Sequence, residues 1–252
     1  MSAISQRTQA AAKLLLDARR SRQRLVELPI GLRPPSTREA YAIQDAVLAE
    51  LGRPGGWKVG ARTPDAEPTC APLPADLILR SPQRFPAGAF ARNGVEAELA
   101  FTLGRDLPPR ATRYDEAELR GAIASVHAAI EVVDSRFVDM STIDAASLLA
   151  DLQSNGALVV GGGVPLPASF PAINQKVELI VDGAEQDTDG RNPAGSLMRL
   201  MTWLADHVAA RRGGLRRGDI ITTGSWTGMR FFPAGTRIDV DFPGIGGAHL
   251  VF

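Results

Sequence analysis

The sequence has no surplus of charge of either sign. Its 252 residues include 28 Lys and Arg against 28 Asp and Glu, which gives a formal net charge of zero. A protein that binds nucleic acid through phosphate contacts needs a surplus of cationic side chains, and no basic run supplies one here. The composition therefore argues against a nucleic-acid partner.

Long apolar segments are absent as well. The longest stretch without a charged residue, 152–175, is interrupted by glycines and prolines, so it cannot form a membrane-spanning helix. The first thirty residues are charged throughout and lack the apolar run and cleavage site of a signal peptide. These features predict a cytoplasmic protein without a membrane partner.

Soft metal ligands are scarce. The single cysteine, Cys70, excludes an intrachain disulfide, and a lone thiol without a motif is typical of an inert packing residue rather than a nucleophile. The three histidines, His127, His207 and His249, are too widely spaced for a zinc signature. Any metal site must therefore consist mainly of oxygen ligands.

Two amphipathic helices are predicted at the start of the chain. The first covers about 5–28 and is ended by Pro29. The second begins at Ser36, which forms a capping-box pattern with Glu39, and ends at Gly52.

Short apolar β runs separated by Gly and Pro dominate the rest of the chain, with helices predicted at about 115–126, 143–152 and 193–212. Strands and helices do not alternate regularly, which argues against a barrel of eight βα units or a doubly wound sheet. The sequence predicts an α+β protein with an N-terminal helical region at 1–55 and a β-rich body at 56–252.

Two carboxylates share one face of a predicted strand over 95–103. The two-residue period of a strand places Glu96 and Glu98 on the same side, about 7 Å apart, with the small residues Ala100 and Thr102 beyond them. A solvated sheet face would look the same. The small neighbours nevertheless leave space for a ligand.

A third carboxylate, Glu131, lies within an otherwise apolar strand. Burial of an unpartnered carboxylate costs several kcal/mol, so Glu131 must either pair with an arginine, of which Arg136 is the nearest, or bind a cation. Three converging carboxylates without Cys or His are typical ligands of a hard ion such as Mg²⁺ or Mn²⁺.

Lysine is rare in this chain, which has 25 Arg but only three Lys. Lys58 lies in a Gly-flanked strand, where desolvation can shift the pKa of its ammonium into a useful range. The alternative is a strand-edge lysine that points at water.

A fourth candidate is the end of a predicted strand at Thr223-Gly224-Ser225. Hydroxyls and backbone N–H groups released from the sheet suit a substrate carboxylate, although the same residues could form only a turn.

These segments occur together with two others in a fixed order. The motifs are Gly-Trp-Lys-Val-Gly at 56–60, Glu-Ala-Glu at 96–98 with Leu-Gly-Arg-Asp-Leu at 103–107, Ala-Ile-Glu-Val-Val-Asp-Ser-Arg at 129–136, Ser-Asn-Gly at 154–156, and Gly-Asp-Ile-Ile-Thr-Thr-Gly-Ser at 218–225. From residue 57 to the last residue the chain resembles the 2-keto-4-pentenoate hydratase family, a branch of the fumarylacetoacetate hydrolase superfamily.

The resemblance implies a fumarylacetoacetate hydrolase-like mixed β-sandwich or roll with a small N-terminal helical cap. It also implies that Glu96, Glu98 and Glu131 bind Mg²⁺ or Mn²⁺, that the oxygens of a 2-oxo or 2-hydroxydienoic acid chelate this ion, and that Lys58 lies beside it. The implied reaction adds water to a 2-hydroxy-2,4-dienoate such as 2-hydroxypenta-2,4-dienoate and gives a 4-hydroxy-2-oxo acid. We expect a homo-oligomeric enzyme of aromatic catabolism.

One position departs from the family pattern. Typical hydratases have a Pro-Asp-Phe-Gly motif whose aspartate is a proposed acid or base, whereas this chain has Pro-Thr-Cys-Ala at 68–71, with Thr69 at the aspartate position. Asp76 lies nearby and is a possible substitute. The departure keeps three alternatives open: a decarboxylase of a 2-oxo-enedioate, a C–C hydrolase of the same superfamily, and a non-catalytic protein that binds a 2-oxo acid.

Overall fold

The computed structural model describes residues 5–168, 170, 175–188 and 190–252. This part of the chain forms five α-helices, at α1 Gln6–Ser21, α2 Thr37–Leu51, α3 Glu116–Arg120, α4 Ala145–Ala150 and α5 Leu197–Arg212. It also forms strands at β1 Pro54–Gly60, β2 Thr69–Pro74, β3 Ile78–Arg80, β4 Gln83–Arg84, β5 Gly94–Leu103, β6 Ile123–Val133, β7 Asn155–Pro165, β8 Glu178–Val181, β9 Ala184–Gln186, β10 Ile220–Ser225, β11 Arg230–Phe231, β12 Arg237–Phe242 and β13 Gly246–Val251. Among these helices none is long and apolar enough to cross a membrane.

The larger of two sheets curls into a roll. Its strand order is β2-β1-β10-β5-β6-β7-β3, and β11 pairs with β5. The strands at its two ends, β2 and β3, are joined only by the short turn Ala75–Leu77, so the two edges of the sheet must lie close together. The smaller sheet, of order β4-β13-β12-β8-β9, packs on the outside of the roll.

Apolar side chains fill the middle of the roll. They form a cluster separate from the main core and comprise Leu73, Ala100, Ala129, Leu158 and Val160. On β5 and β6 this inner face also carries the acidic residues, because side chains alternate along a strand and Glu98 lies opposite Ala129.

The outer face of the same strands builds the main core. Leu99, Phe101 and Ile130 are fully buried there, in one cluster with residues of α1 and α2 and of the second sheet. The core is therefore continuous across the boundary proposed between residues 55 and 56, and that division stays a proposal.

Strands β1 and β10 approach very closely. A Cβ atom at Gly56 would lie 2.1 Å from the carbonyl oxygen of Ile220, so only glycine fits. This approach lies two residues before Lys58 and fixes the strand that carries it.

Two helix predictions were wrong in extent, and the helix predicted over 193–212 begins later, at Leu197, with Ser196 as its N-cap. The first helix ends at Ser21 rather than near residue 28, because Arg22 adopts φ +60°, and the following Val26 is 76% exposed. The helix predicted over 115–126 is only the short α3, because residues from Ile123 onward pair along β5 instead. Tertiary pairing overrides local helix propensity here.

Candidate active site

Three carboxylates converge at one end of the inner face of the roll. Glu96 lies directly opposite Glu131 in the β5–β6 register, and Glu98 follows two residues later on the same face. One oxygen of each carboxylate lies within 4.8 Å of the others. Glu98 and Glu131 are each only 1% exposed, whereas Glu96 is half-buried and faces the cavity described below.

The three carboxylates repel one another, and the cation of this chain that faces them is Lys58. Burial and the charge of Glu131 raise the pKa of Glu96 to about 7, although Lys58 opposes this. Burial and the charges of Glu131 and Glu96 raise the pKa of Glu98 well above its usual value. Glu131 Oε2 is buried without a hydrogen-bond partner in the described residues. Such a cluster is suited to a divalent ion, because oxygen donors and a surplus of negative charge are what hard cations bind.

Lys58 reaches the cluster from β1. Its Nζ donates to Glu131 Oε1 at 2.6 Å and to the carbonyl of Gln153 at 3.2 Å. Burial lowers the pKa of Lys58, but the charges of the three carboxylates outweigh burial and hold the pKa above its usual value. The prediction that desolvation would shift this pKa downward is therefore wrong in the presence of the three carboxylates. Lys58 is a charged hydrogen-bond donor.

Glu131 is not paired with Arg136, which was one of the two alternatives. Arg136 instead forms a buried ion pair with Asp151, and Asn155 Nδ2 donates to Glu131 Oε1 at 3.0 Å. Sequence reasoning assigned no role to Asn155, although it lies in the quoted Ser-Asn-Gly motif.

The Thr223-Gly224-Ser225 segment lies next to Glu98, but its groups are not free. The backbone N–H of Gly224 donates to Glu98 Oε2 at 3.1 Å, and the buried Thr223 hydroxyl donates to the carbonyl of Leu99. None of the three residues lines the cavity. Their role in substrate binding stays a prediction, and the contact that the structure provides is an orienting hydrogen bond to Glu98.

Gln153 was missed by sequence reasoning. With Leu152 and Ser154 it forms three consecutive non-glycine residues with φ between +50° and +60°, a strained conformation that is concentrated at functional sites. Its carbonyl contacts Lys58, and its Nε2 donates to Thr69 Oγ1 at 2.8 Å. No periodic pattern in the sequence signals this segment.

Thr69 therefore lies at the site even though it is not a carboxylate. Asp76 does not replace the missing aspartate, because it is exposed in the turn after β2 and does not line the cavity. Cys70 is buried, and burial raises the pKa of its thiol to about 12, as expected for an inert packing residue.

A cavity of about 950 Å³ opens from Glu96, Thr69 and Gln153. Its walls include the start of α2, the segment before and within α4, and the apolar side chains Met140, Leu148, Leu149, Met229 and Phe231. The N-terminal helices are fixed to this wall by Gln44 of α2, whose buried Nε2 donates to the carbonyls of Cys70 and Leu149. Glu96 thus connects the carboxylate cluster, which Lys58 contacts through Glu131, to a cavity with largely apolar walls.

The family model "Fumarylacetoacetate (FAA) hydrolase C-terminal" matches residues 56–250. Among curated proteins, 2-keto-4-pentenoate hydratase 1 of Dechloromonas aromatica is 31% identical over 97% of both chains. The 2-keto-4-pentenoate hydratase of Paraburkholderia phymatum is 30% identical over 98% of this chain and 97% of its own.

Solved structures share the fold. 4-Oxalocrotonate decarboxylase from Pseudomonas putida G7, complexed with magnesium and adipate, superposes with a TM-score of 0.82 at 20% identity over 97% of both chains. Fumarylpyruvate hydrolase from Pseudomonas aeruginosa, in complex with Mn²⁺ and pyruvate, gives 0.58 at 15% identity over 77% of this chain and 87% of the other. The chain therefore belongs to the fumarylacetoacetate hydrolase family, in the branch that contains the 2-keto-4-pentenoate hydratases.

Proposed function

We propose that the protein is a divalent-metal-dependent hydratase. It adds water to a 2-hydroxy-2,4-dienoate such as 2-hydroxypenta-2,4-dienoate and releases a 4-hydroxy-2-oxo acid. The observation that carries the proposal is the convergence of three buried or half-buried carboxylates and Lys58, in a cluster whose Glu96 lines the cavity of about 950 Å³. The names of the sequence relatives support the reaction type.

Glu96, Glu98 and Glu131 are the residues that hold the ion, which we propose is Mg²⁺ or Mn²⁺. The orphaned Glu131 Oε2 and the raised pKa values of Glu96 and Glu98 support this ligand set. A bound divalent ion supplies charge stabilisation for the carboxylate and 2-oxygen of the substrate. Gly224 and Asn155 orient two of the ligands through their hydrogen bonds.

Lys58 is the proposed acid in the proton transfers. The enol proton leaves the 2-oxygen and C5 gains a proton, after which water adds its oxygen to C4 and a proton goes to C3. Two of the three N–H donors of Lys58 are used by Glu131 and Gln153, which leaves one for the substrate.

The decisive experiment follows the ultraviolet absorbance of 2-hydroxypenta-2,4-dienoate with Mg²⁺ or Mn²⁺ added to metal-free protein. We expect loss of absorbance without release of CO₂, and little activity in Glu98→Gln. The matched control is Glu178→Gln, because Glu178 is exposed on β8, far from the cluster in the sheet order. No turnover by the wild-type protein would contradict the proposal.

A decarboxylase of a 2-oxo-enedioate is the competing function. Arg62 and Arg92 line the same cavity and can bind a second carboxylate of such a substrate. Release of CO₂ from an oxo-enedioate, with no hydration of the monocarboxylic dienoate, would favour it. A homo-oligomeric assembly and a cytoplasmic location stay predictions.

A further inference from the structure

A second cavity, of about 700 Å³, opens at the opposite end of the roll from the carboxylates. We call it the arginine mouth, because its lining includes five arginines: Arg53, Arg80, Arg212, Arg216 and Arg217. They come from the turn before β1, the end of β3, the end of α5 and the loop before β10. Four separate parts of the chain thus bring positive charge to one opening.

The arginine mouth is separated from the proposed active site. The inner face of β5 carries Glu96 and Glu98 at one end and Thr102 at the other, and only Thr102 lines the mouth. Between them lies the small apolar cluster, in which Ala100 and Ala129 are fully buried. A ligand at the mouth therefore cannot reach the metal ligands.

Most of the positive charge at the mouth is uncompensated. Arg212 pairs with Asp45, but in the part of the chain that the structure describes the side chains of the other four arginines form no ion pair. One carboxylate, Asp219, also lines the cavity, and its Oδ2 accepts from the backbone N–H of Arg216. A second carboxylate, Asp106, accepts from the backbone N–H of Arg217. A chain with no net charge thus concentrates here four guanidinium groups that form no ion pair within the described residues, against two carboxylates.

The floor of the mouth is a fixed polar surface. His127 Nδ1 lies 3.2 Å from the carbonyl of Gly161, and its Nε2 lies 3.1 Å from Thr102 Oγ1 and 2.8 Å from Ser125 Oγ. A Cβ atom at Gly163 would lie 2.2 Å from the His127 ring, so glycine is required for this ring position. The floor therefore keeps its shape, and the four arginines without an ion pair are exposed around it.

We propose that the arginine mouth binds a small, multiply charged anion that carries phosphate or carboxylate groups. Guanidinium groups bind both through paired N–H donors, and several around one concavity favour an anion with more than one charge. A cleft lined by charge of one sign also focuses its field on the ligand. This site is independent of the proposed hydratase activity, because the residues concerned are not part of the cluster at Glu131.

The test is calorimetric titration of metal-free protein with inorganic pyrophosphate and, separately, with tricarballylate. We expect at least one to bind, with affinity that falls as salt is added. The double variant Arg80→Gln/Arg216→Gln should raise the Kd about tenfold or more, because it removes two charge-assisted contacts. If only pyrophosphate binds, the ligand carries phosphate groups, and if only tricarballylate binds, it carries carboxylate groups.

The matched control is Arg38→Gln, since Arg38 is also exposed and lies on α2, outside the mouth. It should leave the Kd unchanged. No binding of either probe to the wild-type protein, or equal Kd values in the wild type and the double variant, would overturn the proposal. So would a change of molecular mass by sedimentation in the double variant with unchanged anion affinity, because the arginines would then serve subunit contacts.

Discussion

At the scale of single residues, Glu131 connects Lys58 to the other two carboxylates of the candidate site. One of its oxygens accepts from Lys58 and Asn155, and the other has no partner in the described residues. Lys58 and the proposed metal ligands are therefore coupled through one side chain. A change in the charge or position of Lys58 should therefore alter metal binding, and a change in the carboxylates should alter the pKa of Lys58.

Replacement of Lys58 by arginine keeps the charge but removes the compact ammonium that fits between Glu131 and Gln153. We expect kcat to fall by about 10²-fold or more, as is typical for loss of a general acid or base. The measurement is steady-state kinetics with metal affinity as a second readout, and Lys176→Arg is the control. Kinetics like those of the wild type would exclude proton transfer by Lys58.

Gly224 has φ +90°, so alanine there adopts a strained backbone even though space for a Cβ is available. We expect Gly224→Ala to lose about 1–3 kcal/mol of stability and to bind metal more weakly, because its N–H orients Glu98. Thermal unfolding and metal titration on one preparation test this. The control is Gly31→Ala, where a Cβ meets nothing and φ is not positive. An unchanged metal Kd would show that Glu98 does not depend on this hydrogen bond.

At the scale of elements, an aromatic contact joins α2 to α5. Helices α2 and α5 meet at His207, whose ring lies 4.7 Å from that of Tyr41 and 4.6 Å from that of Trp203. Burial and the charge of Arg211 lower the pKa of His207 to about 4. The folded protein therefore holds this histidine neutral.

This interface should make stability depend on pH. The unfolded chain takes up a proton near the ordinary histidine pKa of 6.5, whereas the folded chain does so only near 4. The free energy of unfolding should thus decrease as the pH falls from about 6.5 to about 4. Urea unfolding across this range should show the decrease in the wild type and in His249→Gln, and a smaller decrease in His207→Gln. Equal slopes in all three proteins would contradict the assignment.

At the scale of the whole molecule, the carboxylate cluster joins β5 and β6 at the centre of the large sheet. Repulsion among the three carboxylates opposes folding when only Lys58 offsets it. An ion that binds only the folded chain should therefore stabilise the whole fold by mass action.

We expect saturating Mg²⁺ or Mn²⁺ to raise the Tm of metal-free protein. At a hundredfold excess over the Kd, the linkage relation gives about 2.7 kcal/mol. Glu98→Gln should lose this increase, and Glu178→Gln should retain it. If the Tm of the wild-type protein does not change when the metal is added, the cluster does not bind it.

The sequence by itself determined the local features of this protein. The two-residue period of β5 places Glu96 and Glu98 on one face, and this depends only on neighbouring residues. The capping pattern at Ser36 likewise predicts α2, whose first turn it stabilises. The family resemblance also follows from motifs of adjacent residues, and it was confirmed.

The tertiary structure decided which of these features meet. Lys58 reaches Glu131 because the large sheet curls, so that β1 and β6, which are not neighbours in the strand order, meet across the roll. No periodicity in the sequence specifies this order. The pairing of β10 with β5 brings Gly224 next to Glu98, whereas Arg136 pairs with Asp151 at the end of α4. The arginine mouth exists only because the roll closes, which brings residues from distant segments to one opening. Strand order is set by burial summed over the whole chain, whereas local patterns record only which side of an element is buried.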